Sequence, residues 1–351
     1  MSQLTIDQPT TVRAGEELNT QALSAFLNRE ILQISQFPGG YSNLTYCLKT
    51  ATGELVLRKP PHGAKEIKGG HDMAREYRVL SMLKQAGYAK IPNPIAVCEN
   101  ESVIGTPFYV MERVEGLIIR AKDLAVLQTT SPEKMRALSE AFVDNLVALH
   151  GIDINTTGLN QLGKPQGFVK RQVDGWITRY EASATNDLPD MKALGDWLQA
   201  NIPQEGPPTV IHNDYKYDNM VLNPNDWTDI KAVLDWEMTT VGDPLMDLGA
   251  TLSYWAEVND GPFEKNFNVT WLPGNLTRSE IVARYAEKSG RDVSNIVFFY
   301  AFGTLKNAVI VQQIYSRYRK GLTQDPRFKN LLVGVKAFAA MGVKAIRTGG
   351  I

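Results

Sequence analysis

Three oxygen-bearing side chains between Val210 and Trp236 have types and a spacing suited to phosphoryl transfer. Asp214 and Asn219 are separated by four residues, and Asp235 lies at the end of the second of two short apolar runs that bracket them. If the two runs are strands of a hairpin, the three side chains converge at one rim. Mg²⁺ takes few protein carboxylates and completes its octahedral shell with water and phosphate. The pattern therefore predicts Asn219 and Asp235 as metal ligands and Asp214 as the carboxylate that accepts or orients a hydroxyl proton.

A lysine lies in the same segment. Lys216 follows Asp214 by two residues and could reach the oxygens of the transferred phosphoryl group, which completes the pattern H-x-D-x-K-x-x-N. His212 starts this pattern, and we interpret it as a structural residue rather than a base. Asp and Asn are also common turn formers, so a plain turn at Asp214, Asp218 and Asn219 is the alternative.

This pattern resembles the catalytic loop of the protein-kinase-like fold. The whole segment is similar to the aminoglycoside phosphotransferase family, and most similar to the branch also found fused to acyl-CoA dehydrogenases. The resemblance implies an α+β bilobal fold with a small antiparallel-sheet N-lobe and a larger, mainly helical C-lobe. It also implies ATP and Mg²⁺ as cofactors and a small-molecule hydroxyl as acceptor. The sequence departs from the family at Asn213, where glycine is common, at Lys216, where aminoglycoside enzymes often have His, and at Trp236.

A glycine-containing turn is a candidate for contact with a nucleotide. Pro38-Gly-Gly-Tyr-Ser-Asn43 precedes an apolar strand, and glycines allow backbone amides to approach phosphates closely. The same residues are equally compatible with an ordinary loop. Similarity to the family's G-G-x-S-N-x-T-Y form implies nucleotide-binding roles for Gly40, Ser42 and Asn43.

Two adjacent cations follow an apolar dipeptide in Val56-Leu57-Arg58-Lys59. Strand alternation lets only one of them face the cleft. The resemblance implies that the phosphate-binding position is Arg58, where many relatives carry Lys. The choice between Arg58 and Lys59 therefore stays open at this stage.

A glutamate lies on the apolar face of the helix predicted over residues 72–86. Met73, Glu76, Leu80 and Leu83 recur at helical spacing. A buried carboxylate needs a partner, which predicts an ion pair between Glu76 and the strand cation. The alternative is that Glu76 reaches solvent from the edge of the stripe.

A second helix start follows the catalytic segment. Asp243 and Pro244 are suited to the N-cap and first positions of a helix. Asp247 lies one turn further on, and helical side chains lean toward the N-terminus, so its carboxylate can reach the backbone of the catalytic segment. The matching Asp of relatives has this bracing role.

The order of predicted elements divides the chain into two lobes. Strands and one helix dominate residues 1–112, the nucleotide-binding N-lobe, whereas helices dominate residues 113–351, which contain the catalytic loop and the acceptor site. The capping box Thr277 to Glu280 opens the first of three helices near the C-terminus. Met111-Glu112-Arg113 resembles the hinge whose backbone contacts adenine.

Composition limits the classes of partner. A chain of 351 residues exceeds what one core usually serves, which predicts two lobes or domains. The net charge of −1 gives no global field for nucleic acid or membrane, so neither partner is expected. Cys47 and Cys98 lie in apolar runs without a metal-binding spacing, which fits a reducing compartment. The segment from Met1 to Glu17 lacks the pattern of a signal peptide. We therefore expect a cytoplasmic protein. The sequence does not indicate an oligomeric state.

The acceptor is expected to be a small molecule, and an anionic one is a candidate. No A-P-E activation segment is present, which argues against a protein acceptor. Residues 315–330 contain a cluster of basic residues against a single acid, Asp325. The cluster consists of Arg317, Arg319, Lys320, Arg327 and Lys329. A hydroxyacyl-CoA would suit this cluster, although such runs are usually solvated helix faces. The alternatives are an aminoglycoside or amino-alcohol kinase and a nucleotide-binding pseudokinase.

Overall fold

Short runs of β-branched, aromatic and leucine residues build an antiparallel sheet in the first third of the chain. The computed structural model describes residues 4–38, 43–61, 71–266, 268–323 and 325–351. The sheet has the order β1-β2-β3-β5-β4. Its strands are β1 (Ile31–Gln36), β2 (Leu44–Thr50), β3 (Gly53–Lys59), β4 (Pro94–Cys98) and β5 (Phe108–Glu112). The β2 and β3 strands form a hairpin in which Thr50 pairs with Gly53, whose φ of 138° favours glycine.

The core under this sheet is formed by alternate residues of its strands. Tyr46, Leu57 and Phe108 are fully buried and pack in one cluster with Leu23. Leu23 belongs to helix α1 (Thr20–Leu27), and helix α2 (Met73–Gln85) follows the β3 strand in the sequence. Each large apolar side chain buried in this way stabilises the fold by about 1.5–3 kcal/mol.

Helices dominate the rest of the chain. They are α3 (Leu124–Leu127), α4 (Pro132–His150), α5 (Phe168–Ser183), α6 (Pro189–Ala200), α7 (Pro244–Tyr254), α8 (Pro262–Lys265), α9 (Arg278–Ser289), α10 (Ile296–Arg319) and α11 (Leu332–Thr348). The predicted capping box at Thr277 and Glu280 is formed at the start of α9. No helix in the described ranges combines the length and the apolar character needed to cross a bilayer.

Two short hairpin-like pairs flank the predicted catalytic segment. The β6 strand (Thr209–Ile211) pairs with β9 (Thr240–Gly242), and β7 (Met220–Leu222) pairs with β8 (Ile230–Val233). Both pairs are antiparallel. The apolar run that precedes Asp214 lies in β6 and pairs with β9, so it does not form a hairpin with the run that precedes Asp235, which lies in β8 and pairs with β7.

The chain divides into two units. The strand-rich unit contains Gln3–Ile118 together with Asn219–Thr239, and the helical unit contains Ile119–Asp218 together with Thr240–Ile351. The strand-rich unit therefore takes in the β7–β8 pair, which the division at residue 112 assigns to the helical part. As a statement about domains, that division stays a prediction.

Helices α7 and α10 approach each other through glycines. A Cβ at Gly249 would lie 2.2 Å from the carbonyl oxygen of Phe299, and one at Gly303 would lie 2.4 Å from the carbonyl oxygen of Gly249. Neither position leaves room for a side chain, so the two helix backbones are in direct contact. This crossing fixes the face of α10 that includes Lys306, one turn beyond Gly303.

Candidate active site

A buried arginine and glutamate join the β3 strand to helix α2. The Nη1 of Arg58 hydrogen bonds to the Oε1 of Glu76, and the two side chains are only 10% and 1% exposed. Burial opposes the charge of Arg58, but Glu76, Tyr109, Asp235 and Glu237 together outweigh burial, so the pKa of the arginine is raised above its ordinary value. Burial raises the pKa of Glu76, and the charge of Arg58 opposes that change. The structure therefore brings Arg58 to the helix glutamate.

The neighbouring cation has a different environment. Lys59 is 4% exposed, and burial lowers its pKa while Glu16 opposes the change. Arg58 and Lys59 are successive residues of the β3 strand, which explains the difference. Side chains of successive strand residues point to opposite faces.

Arg58 also contacts a carboxylate at the end of the β8 strand. Its Nη2 lies 3.1 Å from Asp235 Oδ1 and 3.9 Å from Glu237 Oε2. Asp235 has φ 67° and ψ 62°, a left-handed conformation that costs about 1–2 kcal/mol for a residue with a Cβ. The indole Nε1 of Trp236 donates to the carbonyl of Val233 at 2.8 Å and stabilises this turn. Strain of this kind is found mainly where function requires it.

Asn219 lies at the same end of the β7–β8 pair as Asp235. Its carbonyl accepts a hydrogen bond from the Leu234 amide at 2.8 Å, and the next residue, Met220, pairs with Val233. The hairpin-rim prediction is thus met for these two residues, and both belong to the strand-rich unit. Asp214 belongs to the helical unit.

The donor chemistry at this rim fits Mg²⁺. One carboxylate and one amide provide hard oxygen ligands, and they leave most of an octahedral shell to water and phosphate. Across the described ranges, no three His, Cys, Asp or Glu side chains gather into a cluster that could hold a metal.

In the helical unit, a buried aspartate holds the backbone of the predicted catalytic loop. Asp247 of α7 accepts hydrogen bonds from the amides of His212 at 2.6 Å and Asn213 at 2.8 Å. Its carboxylate also lies 3.2 Å from His150 Nε2, and it is fully buried. Burial raises the Asp247 pKa, but the hydrogen bonds and charges of His150 and His212 together outweigh burial and lower the pKa overall. The predicted contact between Asp247 and the loop is present.

The loop itself turns at Asn213, which has φ 67°. Glycine and asparagine are the residues that adopt this region most readily, so the departure from the family's common glycine keeps the same backbone shape. His212 is fully buried, and its Nδ1 accepts a hydrogen bond from the Asp214 amide at 3.2 Å. This bond uses His212 as a structural acceptor, in agreement with its predicted role.

Asp214 and Lys216 form an ion pair at 3.0 Å, with side chains 17% and 25% exposed. The ammonium of Lys216 also lies 5.0 Å from the ring centre of Tyr254. Burial lowers the Lys216 pKa, but Asp214, Tyr254 and Asp218 together outweigh burial and raise the pKa overall. Lys216 is therefore a cation at neutral pH, positioned beside the predicted base.

The predicted nucleotide-binding residues are placed as follows. Gly40 and Ser42 lie outside the described residues. Asn43 is 2% exposed, and its Nδ2 donates to Glu237 Oε2 at 2.9 Å. Met111 is buried in the β5 strand. The amide of Glu112 donates to the carbonyl of Asn93 at 2.9 Å.

Arg113, the last residue of the predicted hinge, is held by its own contacts. Its guanidinium pairs with Glu54 and donates to the carbonyl of Asp7 at 3.0 Å. Its amide donates to the carbonyl of Glu54 at 3.4 Å. An adenine-binding role for Met111, Glu112 and Arg113 stays a prediction.

Three residues beside these groups were missed by the sequence analysis. Glu237 is an acidic residue two positions after Asp235, just beyond a strand, so the sequence did contain a signal for it. Lys306 interrupts an apolar helical run, and a lysine there is unusual enough to notice. Tyr254 gave no signal, because aromatic residues are ordinary in such helices.

The basic cluster near the end of α10 is on the surface. Arg317, Arg319, Lys320, Arg327 and Lys329 are all exposed. Two of them have local partners, since Arg319 hydrogen bonds to the Tyr315 hydroxyl at 3.1 Å and Arg327 pairs with Asp325.

These features define a phosphotransferase of the kinase-like kind, and the chain belongs to the phosphotransferase enzyme family, whose model matches residues 33–281. Among individual proteins, it is 30% identical to a protein of Ralstonia eutropha JMP134 provisionally assigned as an aminoglycoside phosphotransferase. The two structures match at a TM-score of 0.80, and the match covers 95% of this chain and 99% of that one. The family resemblance and the α+β kinase-like fold class are confirmed.

Two further comparisons are informative. Acyl-CoA dehydrogenase family member 11 of Rattus norvegicus is 35% identical over 319 residues, which are 87% of this chain and 40% of that protein. The chain thus spans about two fifths of the length of such curated relatives. Aminoglycoside phosphotransferase APH(4)-Ia, in a ternary complex with ADP and hygromycin B, shares the fold at a TM-score of 0.61 and 13% identity. The match covers 93% of this chain and 98% of that one.

Proposed function

We propose that this protein transfers the γ-phosphoryl group of ATP, in the presence of Mg²⁺, to a hydroxyl of a small molecule. The observation that carries the proposal is the buried Arg58, joined to both Glu76 and the strained Asp235. A buried ionic group of this kind is a poor source of stability, because desolvation costs several kcal/mol per ion. Its arrangement beside oxygen ligands suits the binding of a metal-bound polyphosphate. The ADP complex of APH(4)-Ia supports the same cofactor class.

Each residue has a definite task in this proposal. When bound, Mg·ATP would supply the phosphoryl group, and its metal would neutralise charge on the phosphates. Arg58 binds phosphate oxygens and is oriented by Glu76, while Asn219 and Asp235 hold the metal. Asp214 accepts or orients the proton of the acceptor hydroxyl.

The remaining tasks concern charge and backbone geometry. Lys216 offers a cation beside Asp214 for the developing phosphoryl charge. Asp247 and His212 keep the loop backbone in place. Gly40, Ser42 and Asn43 line the phosphates, and Lys59 is left outside the phosphate-binding set. A cytoplasmic location stays a prediction.

Calorimetric titration with Mg·ATP tests the metal assignment. Asp235→Asn should weaken binding by at least about tenfold, the effect of losing one charge-assisted interaction. Asp214→Asn should retain binding and abolish transfer. Asp229→Asn is the matched control, because Asp229 lies in the same hairpin but is half-exposed beside Lys90. Unchanged affinity in Asp235→Asn would show that the metal assignment is wrong.

A hydroxyacyl-CoA is the acceptor we favour. Matching relatives are named acyl-CoA dehydrogenases, and the exposed basic cluster suits the phosphates of coenzyme A. Along α10, Arg317 lies eleven residues beyond Lys306, or about 16 Å at helical rise. Lys306 contacts the catalytic loop, so one elongated acceptor can present its hydroxyl at the loop and its phosphates at the basic end.

An acceptor screen distinguishes the candidates. ATP-dependent mass gain of about 80 Da, the mass of a phosphoryl group, would be sought across hydroxyacyl-CoAs, aminoglycosides, amino alcohols and sugars. The double variant Arg317→Gln/Lys320→Gln should lower kcat/KM for a hydroxyacyl-CoA by about tenfold. It should leave unchanged the value for the matching N-acetylcysteamine thioester, which lacks phosphates. A mass gain on aminoglycosides or amino alcohols instead would show that the hydroxyacyl-CoA proposal is wrong. ATP binding without turnover of any acceptor would indicate a pseudokinase.

A further inference from the structure

A buried lysine on helix α10 contacts the predicted catalytic loop. Lys306 is 3% exposed, and its ammonium donates a hydrogen bond to the backbone carbonyl of Asn213. The glycine crossing at Gly303 holds this part of α10 against α7, the helix that carries Asp247. Two neighbouring helices of one unit therefore reach the same short stretch of backbone.

Four charged groups act on the Lys306 ammonium. Asp214 and Asp247 favour its charge, whereas Lys216 and Arg179 oppose it. Burial is the largest influence and lowers the Lys306 pKa to about 8. Desolvating an ammonium is expensive, and a methionine of similar length would avoid that cost. A lysine at this position therefore needs a reason other than stability.

The reason lies in the peptide that precedes Asp214. Lys306 donates to its carbonyl, that of Asn213, and His212 Nδ1 accepts its amide hydrogen, that of Asp214, at 3.2 Å. Asp247 holds the preceding peptide by accepting the amide hydrogen of Asn213 at 2.8 Å. Asn213 is in the left-handed region, a conformation that persists only where the surroundings hold it, so the contacts on both sides of the Asn213–Asp214 peptide matter. We propose that Lys306 is a positioning residue that fixes the Asn213–Asp214 peptide and thereby aims the Asp214 carboxylate. The inference rests on the proposed function, in which Asp214 acts on the acceptor hydroxyl.

The test compares Lys306→Met, Lys306→Arg and a matched control in the full chain. Gln312→Met is the control, because Gln312 is 1% exposed on the same helix and donates to the carbonyl of Ser183 at 2.8 Å, in another helix. Thermal midpoints, steady-state kinetics with the acceptor from the screen, and amide hydrogen exchange of residues 212–215 are measured for each protein.

We expect Lys306→Met to melt no lower than Gln312→Met. Its kcat should fall by at least about tenfold while KM for ATP stays within about twofold, the pattern of a lost transition-state interaction. Exchange at residues 212–215 should rise in Lys306→Met and not in Gln312→Met. Lys306→Arg, which keeps a donor, should recover part of kcat.

The pH profile adds a readout that a packing role would not change. In the wild-type protein kcat should decline as pH rises through about 8, because the neutral amine donates a weaker hydrogen bond. In Lys306→Met this limb should be absent.

Two outcomes would overturn the inference: unchanged kcat in Lys306→Met, or unchanged exchange at residues 212–215. A wild-type protein without turnover would refute the proposed function alone, and the exchange result would then decide the role of Lys306.

Discussion

The ion pair of Arg58 with Glu76 gives the sharpest energetic prediction. Arg58→Met leaves the Glu76 carboxylate buried without its charged partner. Breaking a buried pair costs about 3–5 kcal/mol, and we expect a loss in that range. Glu76→Met is milder, about 2 kcal/mol, because Arg58 keeps Asp235 at 3.1 Å.

The double variant Arg58→Met/Glu76→Met removes both charges together. Replacing a buried pair by apolar residues is often nearly neutral, so its loss should be about 1 kcal/mol rather than the sum of the single losses. Urea unfolding followed by tryptophan fluorescence is suitable, because Trp236 is buried in the same unit and would report its unfolding. Losses that add within about 0.5 kcal/mol would refute the coupling.

The same pair predicts a pH dependence. Without Arg58, the largest opposing charge is gone, and burial raises the Glu76 pKa further. A carboxyl whose pKa is higher in the folded state contributes stability that is present at low pH and lost as pH rises through that value. The deficit of Arg58→Met should therefore be smaller at about pH 5 than at about pH 8, and equal deficits would contradict the reasoning.

Three further predictions concern the helical unit. Asp247→Asn should lower kcat, and near neutral pH it should melt at a lower temperature than the wild type. Because the pKa of Asp247 is lowered in the folded state, the stability that its charge contributes is lost on acidification. In a melting series the difference from wild type should therefore shrink at about pH 3. Asn213→Gly should keep the melting temperature and kcat, whereas Asn213→Ala should lose about 1 kcal/mol in unfolding free energy because of its left-handed φ, and equal losses would argue against the strain. Gly249→Ala should cost at least about 1–3 kcal/mol by overpacking against α10, whereas Gly175→Ala, which has open space in helix α5, should be neutral or stabilising in the same melts.

Much of the site was predictable because its residues follow local patterns. Two apolar runs around a polar turn were enough to bring Asn219 and Asp235 to one hairpin rim. The helical spacing of Met73, Glu76 and Leu80 was enough to bury the glutamate. These predictions rest on periodicities of two and 3.6 residues, which the sequence displays directly.

Other features depended on information that periodicity does not contain. Alternation puts Arg58 and Lys59 on opposite faces of the sheet, but only the packing of α2 against one of these faces decides which cation reaches Glu76. The role of Lys306 depends on how closely α7 and α10 cross, a distance set by two glycines far apart in the sequence. The β1 strand and α1 were not predicted, although both complete the sheet's core.

The strand-rich unit is discontinuous in sequence, and this has a consequence for any attempt to dissect the protein. Its second stretch, Asn219–Thr239, is reached only after the chain has passed through a hundred residues of the helical unit. A single cut after Thr239 keeps Arg58, Glu76 and Asp235 on one fragment, but that fragment also carries Ile119–Asp218 of the helical unit and loses the rest of that unit. Shortened versions and gene fusions must therefore carry the two units as one indivisible block.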